Sequence, residues 1–146
     1  MKFTFPEALI NAHVTEIIAG SPAGSIITMI LSVDGIERFS FQICCVWQLE
    51  TDREAITGWN EDNTSNGPMV TGLKTLEKSY VTGIQVSNRG DLNRTFRNGA
   101  TLVVFCDQTP NLPEDEAMEN WWFADIVANK SYTLSHRLEI EEGSYR

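Results

Sequence analysis

The chain has 146 residues, the size of one domain, with a net charge of −9. At 42% hydrophobic and 21% charged residues it is a globular chain, not a disordered one. Its negative charge argues against direct contact with nucleic-acid phosphates or an anionic membrane surface, and favours a basic partner.

Met1-Lys2-Phe3-Thr4-Phe5-Pro6-Glu7 lacks the charged-then-apolar order of a secretion signal. Glu7 to Asn11 reads as a helical turn after Pro6, and His13 to Ala19 as a strand. Gly20-Ser21-Pro22-Ala23-Gly24 is turn chemistry. Ser25 to Val33 is a β-branched run that ends at Asp34-Gly35, a hairpin signal pairing Val33 with Ile36 and hence Ile30 with Phe39. The returning strand alternates cleanly. Phe39, Phe41, Ile43, Cys45, Trp47 and Leu49 share one face, while Arg38, Ser40, Gln42, Cys44, Val46 and Gln48 share the other. No apolar run is long enough to span a bilayer.

Trp59 to Pro68 reads as a loop and Met69 to Lys78 as holding a short helix. Tyr80 to Ser87 is a strand, and Asn88-Arg89-Gly90-Asp91 turns it. Leu92 to Arg97 and Ala100 to Asp107 form a second hairpin around Asn98-Gly99. A two-residue loop there pairs Arg94 with Val103 and Leu92 with Phe105, placing Leu92, Phe96, Val103 and Phe105 on one face. Arg94 among them predicts a place near an edge or a partner, or else an incompletely buried face. Thr109 to Glu119 is a loop or single helical turn. The aromatics of Asn120 to Ala128 tip an ambiguous pattern from helix toward strand. Ser131 to Glu142 alternates as one final strand that puts His136 on an apolar face.

The chain repeats itself. Val14-Thr15-Glu16-Ile17 reappears as Val81-Thr82-Gly83-Ile84, and each copy precedes a hairpin and then a tryptophan, Trp47 or the pair Trp121-Trp122. The expected organisation is one domain, 1–146, with an internal repeat over about 9–49 and 76–123 joined by the loop 59–68. Neither half buries both sides of its own sheet.

Few residues are left for chemistry. His13 and His136 show no ligand spacing, and Cys106 beside Asp107 has no recognisable base. Cys44, Cys45 and Cys106, odd in number and without metal-ligand spacing, fit reduced thiols in a cytoplasm. Gly83, Gly90 and Gly99 follow no strand-to-helix transition, so they form no phosphate loop. Glu114, Asp115, Glu116 and Glu119 cluster just before Trp121 and Trp122. Carboxylates beside aromatics suit an interface that pairs with Lys or Arg, so these six residues are the candidate partner-binding set. No catalytic residue, metal site or cofactor is expected.

Val81, Ile84, Gly90-Asp91-Leu92, Phe96, Asn98-Gly99, Leu102, Phe105 and Glu119-Asn120-Trp121 resemble a widespread family of small bacterial proteins. Some of those resemble immunity proteins encoded beside polymorphic or contact-dependent toxins. The resemblance covers about Leu76 to Phe123, with a weaker echo over Leu9 to Trp47, and Arg94 departs from the apolar residue its pattern carries.

The expected fold is mainly β, with one or two short helices (α+β being the alternative). It is a single antiparallel, curved or barrel-like sheet of seven or eight strands in two related units. The expected function is a non-enzymatic cytoplasmic binding protein, an immunity protein covering a basic toxin surface. One alternative is a small-ligand-binding protein or enzyme using the interior of the curved sheet, lined by Phe39, Phe41, Trp47 or Phe105. Another is an acidic nucleic-acid mimic.

Overall fold

The computed structural model describes residues 3–20, 24–113 and 115–146. Ser21, Pro22 and Ala23 of the glycine-flanked turn lie outside these. A 3-10 turn, Glu7–Leu9, follows Pro6 as expected. The first half then forms β1 (His13–Ile18), β2 (Ile27–Val33), β3 (Ile36–Ile43), β4 (Val46–Glu50) and β5 (Ala55–Gly58). After helix α1 (Pro68–Lys74) come β6 (Val81–Val86), β7 (Leu92–Phe96), β8 (Thr101–Phe105), β9 (Trp121–Asp125), β10 (Lys130–Leu134) and β11 (Ile140–Gly143).

The class is mainly β and antiparallel, as the alternation predicts. The strands divide between two sheets, however, ordered β1-β2-β3-β9-β10-β11 and β5-β4-β8-β7-β6, and among the described residues no barrel closes. The single expected sheet is split at Cys44-Cys45, where the chain leaves β3 in one sheet and enters β4 in the other. The period of two survives this corner. Phe39, Phe41 and Ile43 are buried from one sheet, Trp47 and Leu49 from the other, and both inner faces share one apolar cluster.

Each half of the chain builds a three-strand meander, β1-β2-β3 or β6-β7-β8, and then sends a fourth strand into the opposite sheet. So β4 pairs with β8, and β9 with β3. Equivalent residues behave alike in the two meanders. Thr15 and Thr82 are each the extra residue of a β-bulge. Asn11 and Lys78 each take positive φ, 72° and 71°. The Asn11 N–H donates to Val81 O at 2.7 Å and the Lys78 N–H to Val14 O at 2.9 Å, around a bridge between His13 and Tyr80. Both inward tryptophans donate their indole N–H to a carbonyl two residues before their own meander's middle strand. Trp47 reaches Ser25 O at 2.7 Å and Trp121 reaches Gly90 O at 3.0 Å.

Turn chemistry decides which residues face inward. Asp34 and Gly35 both take positive φ, the two-residue loop expected, and Val33 pairs with Ile36. A register shift then makes Arg38 an extra residue, so Phe39 pairs with Leu31 and not Ile30, which pairs with Ser40. Released from the ladder, Arg38 reaches Asp125 at 3.6 Å. At the second hairpin only Gly99 takes positive φ. The Gly99 N–H bonds Phe96 O and the Phe96 N–H bonds Ala100 O, closing a three-residue loop. Asn98 spends its side chain on the Ala100 N–H and on Thr75 O instead.

That longer loop slides the pairing by one residue. Arg94 opposes Leu102 and Leu92 opposes Val104. A slip of one exchanges faces. Leu92, Arg94, Phe96, Leu102 and Val104 therefore enter the core, and Phe105 is 49% exposed on the outside. The expectation that Val103 and Phe105 share the face of Leu92 is corrected, and so is the expected edge position of Arg94. Likewise Ser131 to Glu142 is two strands. Ser135 Oγ accepts the N–H groups of Arg137 and Glu139, and Leu138 takes a φ of 61° in the turn between β10 and β11.

Gly90 holds the carbonyl that Trp121 needs, at a φ of +98°, and an added Cβ would lie 2.3 Å from Leu134 Cδ2. Gly90→Ala is therefore expected to cost at least about 1–2 kcal/mol from the left-handed backbone alone, with the clash added. Equilibrium urea unfolding measures it. An unchanged midpoint would show that this backbone relaxes freely.

Candidate functional site

On the six-stranded sheet, strand alternation separates the two candidate tryptophans. Trp121 is fully buried and bonded to Gly90, so it is a core residue and leaves the partner-binding set. Trp122 points to the outer face. Register places it in a row with Thr28, Gln42, Thr133 and Glu141. Its ring lies 6.2 Å from that of Tyr145, tilted by 31°, so the C-terminal segment lies against this face.

Beside the row lies an open depression of about 350 Å³, lined by Ile26, Gln42, Cys44, Asp115, Glu116, Ala117, Met118 and Glu119. Asp115 and Glu116 are exposed, Glu119 is half-buried, and Met118 is 58% exposed. Glu114 lies outside the described residues. The loop 107–120 is held at its base by Asn120, whose side chain bonds Asp107 N–H, Asp107 O and Ser135 O at 2.8–3.0 Å. The carboxylates are thus carried on an anchored loop. Gln42 lines the depression and is the cross-strand partner of Trp122, which makes the acidic loop and the aromatic one surface.

Three carboxyl side chains, Asp115, Glu116 and Glu119, line the depression together with one thiol. Burial, then the Glu119 carboxylate and Cys45, push the Cys44 thiol up to about 12, so it stays protonated at neutral pH. The depression offers acceptors and a polarisable Met118, not a thiolate nucleophile. Sequence reasoning missed Met118, Gln42 and Tyr145. Met118 lies among the acids, between Ala117 and Glu119, and was readable as a partner-facing apolar residue. Gln42 and Tyr145 arrive only through pairing and chain return.

The interior does not form the pocket expected of the ligand-binding alternative. Phe39, Phe41 and Trp47 are fully buried in the common core, and Phe105 instead lines an open outer groove with Gln85, Asn93 and Val103. The His13 ring lies 5.2 Å from that of Tyr80, tilted by 36°, and His136 lies buried in the β10–β11 turn with Nε2 unpartnered. Among the described residues no group of three or more His, Cys, Asp or Glu side chains is placed to hold a metal ion, and no helix is long and apolar enough to cross a membrane.

Comparison with family models, with curated proteins and with solved structures finds no match to this chain.

Proposed function

We propose that this protein is a non-enzymatic, cytoplasmic binding protein whose acidic outer face covers the basic surface of a protein partner, as an immunity protein covers its cognate bacterial toxin. The observation that carries this reading is the continuity of Asp115, Glu116, Met118 and Glu119 with Gln42 and Trp122 on one face. Carboxylates steer a basic partner in, while Trp122 and Met118 supply apolar area that repays desolvation. The net charge of −9 adds a long-range attraction of the same sign.

The test is titration of the protein against the product of its neighbouring gene, by stopped-flow and calorimetry. Glu116→Lys with Glu119→Lys is expected to slow association by roughly tenfold at low salt and to flatten its salt dependence. Absence of a complex at micromolar concentration counts against the reading, as does an association rate indifferent to the reversed charges.

A further inference from the structure

We propose that Cys45 and Cys106 form an oxidisable dithiol that closes to a disulfide with a hydroperoxide as oxidant, stapling the corner where the chain passes between its two sheets. This inference is independent of the partner-binding reading.

The geometry comes from strand pairing. Val46 opposes Phe105 at the end of the antiparallel β4–β8 ladder, and Cys45 and Cys106 are the next residue out on each strand, Cys45 in a bend. Opposed residues at the end of such a ladder have Cα atoms roughly 4.5–5.5 Å apart, a span that a disulfide bridges. Both side chains belong to the core side, Cys106 buried and Cys45 partly exposed against it. The two thiols lie close enough to interact, and Cys106 Sγ donates to Gly90 O at 3.2 Å. Backbone anchors fix Cys106 further. Its N–H bonds Asp91 Oδ1 at 2.6 Å, and its carbonyl accepts from Arg89. Cys44 lines the opposite, outer depression beside Glu119, so it is not the third member of the pair.

Exposure assigns the roles. An oxidant reaches Cys45 first, because Cys106 is buried. The Cys106 thiol is held well above its ordinary range, chiefly by its interaction with Cys45 and then by burial, so it is not the thiol oxidised first. In the first step the Cys45 sulfur attacks a peroxide oxygen, the O–O bond breaks, and a sulfenic acid and one water form. In the second the Cys106 sulfur attacks the Cys45 sulfur, expelling the hydroxyl as a second water and forming the S–S bond. Two thiols lose two protons and two electrons, and hydrogen peroxide is reduced to two waters.

Treatment of the reduced, full-length protein with hydrogen peroxide, followed by intact-mass measurement and proteolytic mapping, tests this. The expected result is loss of two hydrogens, one cross-linked peptide joining Cys45 to Cys106, a higher Tm, and full reversal by dithiothreitol. Cys44→Ser should behave as the parent, and Cys45→Ser and Cys106→Ser should each abolish the cross-link. The peptide map of the unsubstituted protein decides the matter even if a serine variant folds poorly. A cross-link through Cys44, addition of oxygen at Cys45 without a cross-link, or three unreacted thiols would each overturn the proposal.

Discussion

Replacing Arg94 with methionine is expected to stabilise the fold by about 1–4 kcal/mol at neutral pH, the range seen when buried charged groups give way to apolar ones. Arg94 is 1% exposed, between the sheets. Its guanidinium sits 3.7 Å from the centroid of the Phe41 ring, and Nη1 donates only to Met29 Sδ at 3.3 Å. Nε and Nη2 have no partner. The ring contributes on the order of 2 kcal/mol, which does not offset a desolvated, unpaired charge of several kcal/mol. Methionine is unbranched and flexible enough to fill the same channel.

A pH signature accompanies that effect. Burial lowers the Arg94 pKa from its ordinary value to about 9, so the folded protein sheds this proton more readily than the unfolded chain. The destabilisation is fully present below about pH 9 and is relieved as pH rises above 9 toward the ordinary arginine range. The advantage of Arg94→Met over the parent should therefore shrink across that window. Paired denaturant melts at pH 7 and at about pH 10 measure both quantities. A clearly less stable Arg94→Met protein would mean that the guanidinium is satisfied in solution.

The second large effect falls on the two inward tryptophans. Trp47→Ala and Trp121→Ala are each expected to cost about 3–5 kcal/mol, the range for deleting a buried aromatic. Phenylalanine at either position separates two contributions. It keeps most of the apolar volume and leaves Ser25 O or Gly90 O without its indole donor, a loss of about 1–3 kcal/mol. The two hydrogen bonds hold matching places in the repeat, but Gly90 O also accepts from the Cys106 thiol at 3.2 Å, so Trp121→Phe should destabilise by no more than Trp47→Phe. A clearly larger loss for Trp121→Phe would show that the thiol does not replace the indole donor. Urea unfolding of the four variants reads this directly.

Most strands were legible because their period is two and their turns are Gly-rich. The stretch from Phe39 to Leu49 is the clearest case, since its inward set holds across both sheets. The Cys44-Cys45 corner was not legible, because a chain that changes sheets while keeping its inner face leaves the alternation intact. The short β5 was missed because its four residues lie between polar turns. Asn98-Gly99 misled by its composition. The dipeptide suits a two-residue loop, but the side-chain bonds of Asn98 favour a three-residue one, and one residue of slip carried Arg94 inward and Phe105 outward. In the site, the acidic loop and Trp122 were readable from adjacency along the chain. Which tryptophan was buried required only parity and a face assignment. The joining of that loop to Gln42 and Tyr145 depends on β3 lying beside β9 and on the return of the C-terminal segment, neither of which a local pattern encodes.

The exchange of fourth strands also governs how the chain matures during synthesis. When β3 and β4 have left the ribosome, neither can complete its ladder, because β9 and β8 lie in the half still being made. Until Trp121–Asp125 has emerged, the nascent chain holds Phe39, Phe41 and Trp47 against incomplete sheets. Contacts so distant in sequence slow folding and prolong the exposure of sticky strands. Completion of either sheet therefore depends on strands from both halves of the chain.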